Sequence, residues 1–237
     1  MSVTYGAAGS ANVNTLAIAK IVQECGVSAL AHLTCIASTR EKIGAELAAL
    51  KAGGVENILA LRGDKPVEQK GFNGDYHYAS DLVAEICSFG GFSVGGACYP
   101  ECHPECNHIE DDIRNIKRKV DAGLDFLTTQ MFFDNAKYFD FVSRCRAAGI
   151  EVPIIPGLKP LTSMTQQALL PKTFHIDLPM ELASELRQCK SNDQVKALGV
   201  EWAVAQAREL KAAGVASIHF YSMNAVTSIE QIAKQVY

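Results

Sequence analysis

Three things are missing from this 237-residue sequence, and each removes a class of function. There is no surplus of basic charge: 22 Lys and Arg stand against 26 Asp and Glu, a formal net charge of −4, so nothing draws the chain to a phosphate backbone or an anionic membrane. The one basic run, Lys117, Arg118 and Lys119, is too short to change that, and nucleic acid is not an expected partner. No stretch approaches the roughly 20 apolar residues that a membrane-spanning helix needs, and the N-terminus has no basic segment leading into an apolar core. The expected compartment is the cytoplasm. A Gly-rich first turn of the dinucleotide-binding kind is also missing, since SVTYGAAGSA is a poor version of it, which counts against an open doubly wound sheet.

Cysteine is not scarce. Several of the eight sit inside apolar runs, Cys35 in AHLTCI and Cys87 in AEICSF, where free thiols pack as small hydrophobes. Without a secretory signal, reduced thiols are expected rather than disulfides.

What the chain does contain is a degenerate repeat: a helical segment closes on Gly, and a short apolar run follows. The instances are ECGVSALAHLTC, KAGGVENILALRG, SFGGFSVGGACY, DAGLDFLTTQMFF, AAGIEVPIIPG and AAGVASIHFYSM. Gly26, Gly53, Gly90, Gly123, Gly149 and Gly214 stand where a helix C-cap takes a left-handed residue. The apolar runs are largely non-alternating, as in strands of a parallel sheet covered by helices on its faces. Segments 14–24, 39–51, 80–88, 111–120, 135–147 and 195–213 supply that cover. SVTYG opens the chain as a further strand and SIEQIAKQVY closes it as a helix. The expected fold is therefore α/β, a TIM (β/α)8-type barrel with seven of eight βα units present, in a single domain over residues 1–237. The absent unit would precede Met1 and leave the first and last strands as edges, so association with another copy or a partner subunit is expected.

In such a barrel the chemistry lies where strands end. Those positions are polar almost every time: Thr4 and Tyr5; Thr34; Arg62 and Asp64; Tyr99, Glu101 and His103; Gln130 and Asp134; Lys159; Tyr221 and Asn224. Each alone has a bland reading, as a helix cap or a rim aromatic. Recurrence after nearly every strand points to a ligand site.

Nine runs in order, SVTYGA (2–7), AHLTC (31–35), ALRGD (60–64), YASDL (78–82), YPECHPE (99–105), NIKRKVDAG (115–123), TTQMFFD (128–134), IIPGLKP (154–160) and HFYSMN (219–224), together resemble the methylenetetrahydrofolate reductase family, in its bacterial-type catalytic barrel. The resemblance implies a flavoprotein that converts 5,10-methylenetetrahydrofolate into 5-methyltetrahydrofolate, with FAD as cofactor and NADH or NADPH as co-substrate, by ping-pong hydride transfer. By match to the family's motifs, Thr4, Tyr5, Ala7, His32, Arg62, Gly63, Asp64, Tyr78, Ala79, Ala97, Tyr99, His103, Asp112, Asn115, Arg118 and Lys119 line the FAD, with Arg118 and Lys119 suited to its pyrophosphate. Lys117 reads as a solvated helix position instead.

Asp64 carries the catalytic assignment, as a carboxylate that disfavours an anionic reduced flavin and tunes hydride donation. Gln130 resembles the residue that hydrogen-bonds the pterin, and Tyr221 resembles a substrate contact. Residues 161–170 form part of a wall for nicotinamide and folate in turn. Cys98, Cys102 and Cys106 with His103 and His108 make the one metal-like grouping, but the family uses this loop for flavin and no metal is expected.

Two departures from the family stand out. Its general-acid Glu lies on a first strand with no counterpart in these residues, and Ala225 stands where an Arg usually follows the Asn of the last motif. Both leave open an alternative: a truncated or partner-dependent subunit that binds flavin or folate without full turnover.

Overall fold

The computed structural model describes residues 1–5, 13–63 and 74–237. Strand order in the sheet follows sequence order, β1 to β7, and β1–β2, β2–β3, β3–β4 and β6–β7 pair in parallel. The chain forms two compact units, residues 1–97 with 114–127, and residues 98–113 with 128–237.

The first unit carries β1 (Ser2–Val3), α1 (Val13–Glu24), β2 (Leu30–Thr34), α2 (Arg40–Ala52), β3 (Asn57–Leu61), α3 (Ala79–Phe89) and most of β4 (Ser93–Cys98). The later turns of α4 (Ile109–Asp121) and the start of β5 (Phe126–Met131) complete it. Register runs from Ser2↔Leu30 through His32↔Leu59 to Ile58↔Val94. In β2, Ala31 and Leu33 are fully buried while Leu30, His32 and Thr34 are half-buried, so one face packs under helices and the other carries the polar groups. Helix α2 starts where the sequence places it, with Thr39 accepting a bond from Lys42 N at 3.2 Å, and seats Ile43, Leu47 and Leu50 at helical spacing.

Its end corrects one expectation. Gly53 has an ordinary φ of −81°, and the left-handed residue is Gly54 at +74°. Gly53 is small for another reason: a Cβ there would meet Lys20 Cε at 2.9 Å and Leu16 Cδ1 at 3.0 Å. Strand β4 uses glycine in the same spatial sense. A Cβ on Gly95 would lie 2.4 Å from the Phe126 ring, and one on Gly96 would lie 2.6 Å from Leu124.

The second unit carries the rest of β5, then α5 (Asn135–Ala147), β6 (Ile154–Leu158), α6 (Gln166–Phe174), α7 (Met180–Gln188), α8 (Asn192–Ala212), β7 (His219–Phe220) and α9 (Val226–Val236). Gly157 and Leu158 pair with His219 and Phe220. One core cluster gathers Met131, Phe133, Leu161, Leu170, Leu182 and Val195 from the end of β5 and the three helices after β6. A second joins α8 to α9 through Val200, Ala203, Val204 and Ile232. Helix α8 is pinned by polar bonds as well: Asn135 Nδ2 donates to Gln206 O, Gln206 Nε2 donates to Asn135 Oδ1, and Trp202 Nε1 donates to Phe133 O at 3.0 Å.

Seven parallel strands alternating with helices are the α/β organisation expected from the sequence. The connection between β6 and β7 differs, because it holds α6 and α7 in addition to the one helix expected there, α8. Among the described residues there is no eighth βα unit, and no helix is long and apolar enough to cross a membrane.

Candidate active site

The candidate residues divide between the two units. In the first, the ends of β1, β2 and β3 and the start of α3 bring several together. His32 Nε2 lies 2.6 Å from Ser2 Oγ, which ties the half-buried imidazole of β2 to β1. Thr4 is exposed, and its carbonyl accepts from Thr15 Oγ1; Tyr5 Oη donates to the Glu46 carboxylate at 3.1 Å. The chain leaves β3 through Arg62 and Gly63, with Ile36 N donating to Arg62 O at 2.8 Å. Gly63 has φ +88°, and a Cβ there would collide with Ile36 Cγ2 at 2.8 Å, so only glycine fits this turn. Cys35, fully buried, joins the ends of β2 and β3 to α3: its thiol contacts Arg62 O at 3.9 Å and Tyr78 O at 3.7 Å. Burial raises that thiol to about 11, so it stays protonated.

Tyr78 is exposed at the entry of α3, where the Asp81 carboxylate accepts from Tyr78 N at 3.0 Å, and Ala79 is the first helical residue. On α4, Asn115 Oδ1 accepts from Arg118 Nη1 at 3.1 Å, and Lys119 Nζ donates to Ala97 O. Lys117, half-buried, pairs with Asp121 one turn on. Ala7 and Asp64 lie outside the described residues.

In the second unit the loop after β4 is built around Asp112. This carboxylate, 5% exposed at the start of α4, accepts from His103 N at 2.9 Å, where the helix dipole favours negative charge. Tyr99 meets the His103 ring edge-to-face at 4.6 Å, and Glu105 N donates to His103 Nδ1. The same loop carries Glu101, a strand-end candidate in the sequence whose partners only the fold reveals. Glu101 Oε2 accepts from Lys137 Nζ at 2.6 Å and from Asp177 N at 2.9 Å, while its Oε1 is buried with no partner. Lys137 also bonds Asp177 at 2.6 Å. Burial pushes the Glu101 carboxyl up, and its hydrogen bonds only partly offset that. For Lys137, burial acts downward, but the bonds to Asp177 and Glu101 outweigh it and hold the ammonium above its ordinary value. No spacing rule links residues 101, 137 and 177; only the fold does.

At the end of β5, Gln130 Oε1 accepts from Met131 N at 2.9 Å, and Asp134 caps α5 by accepting from Ala136 N. Tyr221 Oη donates to Thr129 O at 2.8 Å, and burial raises this phenol. Lys159, the first residue after β6, is 2% exposed, and its amine has no hydrogen-bond partner among the described residues. Burial alone holds its pKa below the ordinary lysine value. Among the described residues no three His, Cys, Asp or Glu side chains converge as a metal site.

The sequence matches the model of the family described as methylenetetrahydrofolate reductase over residues 1–237. It is 35% identical over 242 residues to Methylenetetrahydrofolate reductase 1 of Schizosaccharomyces pombe, covering 100% of this chain and 40% of that protein. To the 5,10-methylenetetrahydrofolate reductase of Pectobacterium carotovorum it is 35% identical over 226 residues, covering 94% of this chain and 75% of that one. The chain thus spans less than half the length of the fungal relative and three quarters of the bacterial one. A solved structure described as an uncharacterized protein from Clostridium thermocellum that binds two copies of 5-methyl-5,6,7,8-tetrahydrofolic acid is alike in fold, with TM-score 0.59 over 100% of this chain and 94% of its own, at 14% identity. A family match that leaves no residue out, with a relative at this identity covered over three quarters of its length, decides the matter: the chain belongs to the methylenetetrahydrofolate reductase family.

Proposed function

We propose that this chain reduces 5,10-methylenetetrahydrofolate to 5-methyltetrahydrofolate with NADH or NADPH, using bound FAD. The observation that carries the reading is the unbroken family match over residues 1–237. The donor set suits the flavin. Arg118 is exposed and Lys119 follows it, two adjacent cations for a pyrophosphate, while Ala79 and Ala97 are small enough to sit beside a flat ring. His32, Thr4, Tyr5, Arg62, Gly63, Tyr78, Tyr99, His103, Asp112 and Asn115 complete the set taken from the family's motifs.

When bound, FAD supplies a two-electron carrier between nicotinamide and folate. The chain's own residues hold and orient. Gln130 has its amide oxygen taken by Met131 N, which leaves the amide nitrogen as the donor for a pterin. Asp112 holds the His103 backbone, so the loop after β4 keeps one shape. Asp64 is the carboxylate expected to influence hydride donation, and D64N should slow turnover more than it lowers stability. The same reading makes residues 1–237 a single domain of the cytoplasm.

The test is optical. The purified protein should be yellow, bleach anaerobically with NADH or NADPH, and recover its colour on adding methylenetetrahydrofolate. Parallel double-reciprocal lines should follow, because nicotinamide and folate use one face in turn. A colourless protein that cannot be reconstituted with FAD overturns the reading. Ala225 favours a second one: it opens α9 without a cap bond and offers no cation for a ligand's anionic end. Flavin and folate binding without turnover would establish that alternative.

A further inference from the structure

Lys159 is placed from both sides within the second unit. Towards β7, Leu158 pairs with Phe220 and Tyr221 N donates to Leu158 O at 2.9 Å, so Lys159 stands beside Tyr221. Towards β5, Gly157 N donates to Thr129 Oγ1 at 2.8 Å, which brings the Gln130–Met131 end of β5 level with it. Lys159 thus stands beside Tyr221 and near the end of β5 that carries Gln130, the two folate contacts of the proposed reductase.

Its chemistry is unusual for a lysine. The side chain is 2% exposed, so it does not snorkel to water, and Nζ has no acceptor. Leu158 and Leu161, at 0% and 1% exposure, flank it, with Pro160 also buried. Burial lowers its pKa, and among the described residues no carboxylate is provided for it. A buried donor without an acceptor costs stability, and proteins keep such groups where something else completes them.

We propose that the group completing Lys159 is the pterin ring of a bound folate, whose lactam oxygen accepts a hydrogen bond from Nζ. The inference rests on the folate reading of the site. A neutral lactam suits these surroundings better than the folate glutamate does. The glutamate would bring its carboxylates into an apolar corner that holds one amine, whereas the lactam needs only a donor.

Equilibrium titration of the purified full chain with 5-methyltetrahydrofolate, with 6-methyltetrahydropterin and with FAD tests this, in wild type, K159M and K159Q. K159M keeps chain length and removes an unsatisfied group, so it should fold. It should weaken folate and bare pterin alike by roughly tenfold or more and leave FAD binding unchanged. K159Q keeps a donor and should lose less, and its affinity decides the matter if K159M does not fold.

Wild-type affinity for both pterins in the variants overturns the proposal and leaves the reductase reading standing. Loss for folate but not for bare pterin moves the contact to the tail and overturns the pterin assignment. Equal losses in both variants, or a parallel loss of FAD, show a packing defect and overturn it too. A wild-type chain that binds neither pterin takes the folate reading down with it.

Discussion

Lys159 and Glu101 each bury an atom without a partner, yet they sit in opposite surroundings. Among the described residues Lys159 has no countercharge, so K159M should raise the stability of the unliganded protein, by about 2 kcal/mol near neutral pH. The sign with pH follows from its lowered pKa. Below that value both folded and unfolded chains hold the proton, and the burial penalty is present in full. As pH climbs from there towards the ordinary lysine range, the folded amine has already lost its proton and the unfolded one has not. The wild type therefore gains on K159M, and thermal melts at rising pH should converge; a constant gap would count against an ionising Lys159. Glu101 is instead held by Lys137, so K137M should cost about 2 kcal/mol by leaving a mostly buried carboxylate with one donor fewer. At this scale the sequence is legible where a residue acts on its neighbours in the chain: Asp134 caps α5, and Lys117 pairs one turn along. It is silent where partners are distant, as with Glu101, Lys137 and Asp177, because no periodicity connects them.

Elements were legible in proportion to their apolar anchors. Helix α5 spans the predicted 135–147 and buries Tyr138, Phe141 and Cys145 on one side. Helices α6 and α7 were not foreseen: α6 has nine residues, a proline inside it and only Leu170 buried, and α7 has nine residues and two buried leucines. So short a stretch shows too little of a helical stripe to be read, and its stability comes from the cluster it packs into. That packing has a sharp test in α8. A Cβ on Gly199 would lie 2.1 Å from Leu161 O and 2.7 Å from Leu161 N, backbone that cannot swing aside. G199A should cost about 3 kcal/mol and lower the melting temperature accordingly, whereas alanine elsewhere in a helix usually helps. Unchanged melting would show that α8 does not rest on Leu161.

For the whole molecule, the divide between the two compact units falls inside strands, after Ala97 in β4 and after Leu127 in β5. A strand does not melt by halves, so the chain should unfold in one transition, as a single domain would. The sequence supplies its own reporter, because the one tryptophan, Trp202, lies in the second unit, with its indole bonded to Phe133 O. Its fluorescence and far-ultraviolet circular dichroism should change at the same denaturant concentration. Separated midpoints would make the units independent domains.

The two glycines of β4 turn a familiar habit of reading on its head. By propensity SVGGAC is the weakest strand of the set, since glycine leaves strands poorly held. Yet Phe126 and Leu124 fill the space that the missing side chains leave at Gly95 and Gly96. A slip of one residue would set the Phe126 ring against Val94 in one direction and Leu124 against Ala97 in the other, where a hollow is now. The alignment of these strands is thus written as a relief of bumps and hollows, like the wards of a lock, and a sequence scored one residue at a time sees only the hollows.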